Sequence, residues 1–263
     1  MKKKILTLIT VTILGLLLTS CDVEVGFRAR HYGAKYDASL DKEESIAIDN
    51  IKNIMIDTNV SEVNVHSTEG DSIQLSVKNS TTASGEVLMN KSGDSLNIRE
   101  TGEAKLSWNS KQSRNIDIAI PKSFNGNFKL DYGAGEVSIK DVICETLDID
   151  GGAGQLYLKD VVFNELNLDS GTGTVDINLS KKCGNIDING GVGEVNLSLA
   201  EVGGDLIFDG GIGEANLKIP EDAPVDIRTS SGIGSCNISA KTSGEKTYIF
   251  DLENGVGEIK VTN

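Results

Sequence analysis

The sequence predicts an all-β fold, a single-stranded parallel β-helix (β-solenoid) with about 19–21 residues per coil, right-handed as parallel crossovers are. The first observation behind this is a phrase that recurs between Phe128 and Val261: two alternate apolar residues, an acidic or polar residue, Gly-any-Gly, and two more alternate apolar residues. Its first glycines, Gly133, Gly152, Gly171, Gly191, Gly211, Gly232 and Gly255, are spaced by 19, 19, 20, 20, 21 and 23 residues. So regular a period describes stacked units, each buried by its neighbours. The second observation is composition: 29 Gly, 3 Pro and 5% aromatic residues in a chain of 263 suit strands joined by tight corners.

Taken in order, residues 1–20 read as a signal peptide. Lys2, Lys3 and Lys4 precede an apolar run from Ile5 to Leu18, which is shorter than the roughly 20 residues of a membrane-spanning helix. The ending Leu18-Thr19-Ser20-Cys21 resembles the lipobox of bacterial lipoproteins, in which the cysteine becomes the first residue and carries the lipid. The expected mature chain is therefore exported and lipid-anchored through Cys21 to the outer face of the cell membrane. Loss of three Lys and no acid takes the formal net charge from −14 to −17, which disfavours nucleic acid as a partner. Residues 21–45 show no sustained period and read as a tether. Its basic and aromatic residues, such as Arg28, Arg30 and Tyr32, are compatible with contact to a membrane or cell wall.

The solenoid is expected over 46–263, with irregular coils at 46–127 and regular ones at 128–263. Ile54 to Val65 matches the later phrase, with Asn59 and Ser61 in place of the glycines, Asn being tolerant of a left-handed backbone. Between Asn59 and Gly133 there is length for three or four further turns. In the regular part, counting from each first glycine, positions −5, −3, +4 and +6 are almost all apolar, as in Leu147, Ile149, Leu156 and Leu158. Two strands facing one core on either side of a corner give that pattern. Parity then requires the corner to reset the pleat by one residue. The +1 column, from Ala134 and Ala153 to Ile233 and Val256, is expected to point inward at the bend, with +3 outward. Each coil has room for a third short strand. Cys144, Phe163 and Cys183 fall in one column on consecutive turns, so the two cysteines lie two coils apart, beyond disulfide reach. Cys236 occupies a core column, and free, buried thiols are expected.

Several motifs resolve against chemistry. Gly190-Gly191-Val192-Gly193 and its relatives look like calcium-binding nonapeptide repeats, but the required Asp is replaced by Leu156, Val195 or Ala215. The third glycine of a dinucleotide fingerprint is missing. No catalytic site, metal site or cofactor is expected. The remaining feature is an acidic stripe beside the corner, formed by Asp131, Asp150, Asp169 and Asp209 before the glycines and Glu136, Glu194, Glu214 and Glu258 after them. It reads either as a binding surface for cations or a cationic partner, or as solvated turn residues that block lateral aggregation.

The runs Ile54-Met55-Ile56-Asp57, Ile116 to Pro121 and Leu130 to Val137 resemble the bacterial putative-adhesin domain family of surface β-solenoids, over residues 45 to 261. The resemblance implies a cell-envelope role, with links to envelope stress in some members, and no catalytic motif. The expected function is a non-catalytic adhesion, binding or structural module. Its expected partners are the membrane through the lipid, an envelope glycan or surface protein, or a second copy through the strand edge at Ile259 to Val261. Two alternatives remain at this point: a polysaccharide-active enzyme using Asp150 and Asp169, and a calcium-stabilised surface protein.

Overall fold

The computed structural model describes residues 36–80, 85–102 and 114–263. The signal segment, Cys21 and the tether as far as residue 35 lie outside the described residues. A 3₁₀ turn at Ala38–Leu40 is followed by thirteen strands. The first six are β1 (Lys42–Ala47), β2 (Asn53–Thr68), β3 (Ser72–Lys78), β4 (Val87–Ser92), β5 (Ser95–Glu100) and β6 (Arg114–Pro121). The repeat then supplies β7 (Asn127–Lys140), β8 (Thr146–Lys159), β9 (Glu165–Leu179), β10 (Asn185–Leu199), β11 (Leu206–Lys218), β12 (Val225–Ile238) and β13 (Tyr248–Thr262).

One sheet holds them all, in the order β1-β3-β6-β2-β7-β8-β9-β10-β11-β13-β12, with β5 also beside β2 and β4 beside β5. From β2 through β7 to β11 each coil pairs in parallel with the next, and equivalent columns align: Ile149 faces Leu168, which faces Ile188. This is the expected β-solenoid. The two arms on either side of each corner run as one bent strand. The third side is a short segment in which Ile143 bridges Val162 while Val142, Cys144, Val161 and Phe163 are buried. Asp141 and Asp160 turn the chain into that side at φ of 57° and 53°, a conformation that Asp and Asn enter more readily than other side chains.

Three expectations need correction. Residues 59–133 do not make three or four similar coils. β1 pairs with β3, β3 with β6, and β4 with β5, all antiparallel, so this stretch closes one end of the solenoid with antiparallel strands, of which β4 and β5 form a hairpin. The sheet begins at Lys42, and the expected tether is already folded from Tyr36, whose hydroxyl donates to Asp41 at 2.8 Å. Finally, the last two coils are out of order. β13 lies between β11 and β12, so Ile259 and Val261 are fully buried and not an edge. The change of order coincides with the longest spacings in the repeat, 21 and 23 residues, which precede Gly232 and Gly255. Asn263 fastens the crossing, accepting from the Lys241 N–H at 2.6 Å and donating to the carbonyls of Ile219, Pro220 and Lys241.

The core is a column of mainly aliphatic side chains through every coil, with Phe128, Phe163 and Phe250 the largest that are fully buried. Among the described residues the thiols of Cys144, Cys183 and Cys236 are free. The first two are buried, whereas Cys236 is only partly covered because β12 is an outer strand. Burial, with a smaller contribution from neighbouring Cys183, pushes the Cys144 thiol from its ordinary value near 9 up to about 12. Native protein should therefore leave Cys144 unmodified by a thiol reagent at pH 8, while unfolded protein reacts. An unfolded chain ionises this thiol first, so the contribution of Cys144 to stability is intact below about pH 9 and is lost between pH 9 and 12. Rapid labelling of Cys144 in the native state at pH 8 would contradict its place in the core.

Candidate surface at the glycine corner

The corner is built by backbone crowding. A Cβ placed on Gly152 would sit 2.0 Å from the Gly133 carbonyl oxygen of the preceding coil, and one on Gly154 would sit 1.9 Å from that of Gly135. Both distances are impossible for a real side chain, so the Gly-any-Gly spacing records how closely successive corners stack. The third residue of the phrase, not the first, carries the positive φ, from 131° at Gly135 to 151° at Gly234. The parallel ladder also skips the first glycine: Gly190 pairs with Gly210, and pairing resumes at Val192 with Ile212. That skipped residue is the pleat reset.

Because the reset falls at the first glycine, the residue before it points inward and the residue after it points out, which reverses the expectation for the +1 column. Tyr132, Gly151, Gly210 and Asn254 are the buried inner side of the corner. Space there is short, since a Cβ on Gly210 would meet Asn254 Oδ1 at 2.6 Å. On the outer side, Val192, Ile212, Val256 and Ile233 are 50%, 56%, 40% and 74% exposed. They stand beside one another on β10, β11, β13 and β12, an apolar ladder open to water.

The expected acidic stripe divides into two rails on either side of this ladder. In the rail before the glycines, Asp131, Asp150 and Asp169 are register neighbours. Asn189 interrupts the series, and Asp209 follows. The structure adds Asp57 at one end and Glu253 at the other. In the rail after the glycines, Glu194, Glu214 and Glu258 are consecutive. Glu136 stands apart from them, separated by Gln155 and Thr174. Like charges one strand apart repel by about 1 kcal/mol before screening, and the rails relieve this locally. Asn189 donates to Asp169 at 2.8 Å, Arg99 pairs with Asp57 at 3.1 Å, and Lys129 lies 3.6 Å from Asp131. Lys260 lies 3.0 Å from Glu258 and 3.8 Å from Glu214, and it holds its proton above the ordinary lysine range chiefly through the Glu258 hydrogen bond.

Two arrangements escaped the sequence reading. Asn59 and Ser61 replace glycines where, among the described residues, the neighbouring ladder is interrupted: β5 pairs with the first arm of β2 as far as Asp57 and β6 with the second arm from Ser61. Instead the Glu100 carboxylate fills the place, accepting from the Asn59 N–H at 2.8 Å and the Ser61 hydroxyl at 3.1 Å, and it pairs with Arg114 at 2.9 Å. Both charged side chains are buried. Burial pulls the Arg114 guanidinium below its ordinary value while the Glu100 charge acts in the opposite direction. Elsewhere, amides bridge carboxylates along outward columns, Asn196 donating to Asp176 at 2.9 Å and Asn216 to Asn196 at 3.0 Å. The alternation of Asp and Asn at one repeat position was the available signal.

Among the described residues no group of three or more His, Cys, Asp or Glu side chains is placed to hold a metal ion, and no helix is long and apolar enough to cross a membrane. The Toastrack DUF4097 family matches residues 51–262. Among solved structures the chain is similar to a putative cell adhesion protein from Clostridium sporogenes, at 17% identity and a TM-score of 0.43, over 84% of this chain and 99% of that one. It is also similar to a putative adhesin from Bacteroides fragilis, at 14% identity and a TM-score of 0.42, over 84% and 96% of the two chains. No curated protein matches it.

Proposed function

The chain belongs to the Toastrack DUF4097 family, and from that premise we propose that it is a non-catalytic binding module of the bacterial envelope, held to the membrane by a lipid on Cys21 and working through the outer glycine corner. The observation that carries this reading is the ridge at the corner: a row of exposed branched aliphatic side chains, flanked on both sides by carboxylates at Ile212 (Asp209, Glu214) and Val256 (Glu253, Glu258). Water-exposed apolar side chains in a continuous row, rimmed by charge, are the composition of an interaction surface. The rails restrict partners to neutral or cationic envelope components and help keep the apolar row from self-aggregation.

A direct test uses the full-length chain in mild detergent, sedimented with detergent-washed cell walls. Reversing charge at Glu194→Lys with Glu214→Lys is expected to lower retention at least tenfold while leaving the unfolding transition in place. Unaltered retention would remove the corner from the binding surface. Asp150 and Asp169 are register partners, so the enzymatic alternative has a defined test: glycan depolymerisation that disappears in Asp150→Ala and Asp169→Ala supports it, and binding without turnover removes it. A calcium-stabilised protein would melt higher with calcium than with chelator. We expect no difference.

A further inference from the structure

Along the main order of the sheet, the described residues end in β1 and β12. β1 is six residues long and opens Lys42-Glu43-Glu44, a short charged edge of the kind that resists pairing. β12 is different. It has fourteen residues, and from Thr229 to Ala240 the chain carries neither a charge nor a proline. Its core-facing side chains are left half-covered: Ile227 and Cys236 are partly buried, Thr229 is exposed and Ile238 is 43% exposed. Their register partners in β13, Phe250, Leu252, Ile259 and Val261, are buried. The solenoid core therefore reaches this edge and, among the described residues, stops uncapped.

We propose that the edge is capped by a second copy of the chain, β12 pairing with β12 antiparallel about a two-fold axis through the glycine corner. The bend selects this register, because two bent strands keep both arms stacked only when their corners coincide. A two-fold axis then lays the first arm of one copy on the second arm of the other. Centred between Gly232 and Ile233, it sets Ile227 against Ile238 of the second copy, Thr229 against Cys236 of the second copy, and Val225 against Ala240 of the second copy. Each of these faces its own core. In an unbroken strand that pairing would set inward residues against outward ones, since side chains alternate. The skipped residue at the corner removes the mismatch, so the device that lets coils stack within one chain makes this edge self-complementary. Charge is compatible as well, with Asp226 opposite Ser239 and Arg228 opposite Asn237 of the second copy. An isologous contact of this kind closes at two copies and does not propagate into a fibre. The inference is independent of what the corner ridge binds.

Opposed residues in an antiparallel pair have Cα atoms about 4.5–5.5 Å apart, within disulfide range. Thr229→Cys in the full-length chain, oxidised in mild detergent, should therefore give a covalent dimer through Cys236, seen on a non-reducing gel and absent when Cys236→Ser is added. Sedimentation of the wild-type chain should show a dimer. Ile238→Lys, at a half-exposed position, should give a monomer with its unfolding transition preserved. A wild-type monomer at all concentrations, a dimer that persists in Ile238→Lys, or trapping that does not need Cys236 would each overturn the proposal.

Discussion

Gly193→Ala is expected to destabilise the solenoid by about 3–5 kcal/mol, as the combined cost of overpacking and a strained backbone. Gly193 has φ of 147°, and a Cβ there would lie 1.8 Å from the Gly173 carbonyl oxygen in the preceding coil. The atom it meets is backbone held in the parallel ladder, so it cannot swing away. Relief requires two central coils to separate, which breaks hydrogen bonds on both arms. The neighbouring Gly190 is the control: its added Cβ would come no closer than 3.4 Å to any heavy atom, and its φ is not positive. Gly190→Ala should cost under about 1 kcal/mol. Chemical denaturation of the two variants separates crowding at the corner from a general intolerance of side chains in the repeat. Equal stability in both would show that the corner is looser than described.

The second large effect lies at the other end of the molecule. Glu100→Ala removes the carboxylate paired with the buried Arg114 guanidinium at 2.9 Å and deprives the Asn59 N–H and Ser61 hydroxyl of their acceptor. Removing one partner of a buried ion pair costs about 3–5 kcal/mol. Arg114 also donates to the Gly85 carbonyl, so the loss should extend to the β4–β5 hairpin and appear as faster amide exchange there. Replacing both partners, Glu100→Met with Arg114→Met, should recover much of the stability, because the desolvation of two charges is then avoided. If Glu100→Ala unfolds within 1 kcal/mol of the wild type, the pair does not seal the first corner.

These two sites mark how far the sequence could be read. The core columns were legible because burial is set by alternation on each arm, and every coil repeats it: Leu147, Ile149, Leu156 and Leu158 face inward as the pattern requires. The Glu100–Arg114 pair was not legible, since its members belong to separate strands and neither lies in the repeat. The direction of Val192, Ile212, Val256 and Ile233 was misread because parity locates a reset only to within a residue or two, and only the ladder shows that the first glycine is skipped. The acidic residues were found from their columns, but one stripe became two rails once the outward apolar row stood between them. The exchange of β12 and β13 left a faint trace in the longer spacings before Gly232 and Gly255, but nothing in a linear period distinguishes a longer loop from a changed order.

The claim on which the functional reading rests is that the outward apolar ladder, and not the acidic rails alone, makes contact with the envelope. Sedimentation of Ile212→Gln with Val256→Gln on detergent-washed cell walls tests it most directly, because both side chains are solvent-exposed and their replacement leaves the net charge unchanged. Loss of retention at an unchanged unfolding transition is the predicted result, and retention equal to that of the wild type would contradict the account.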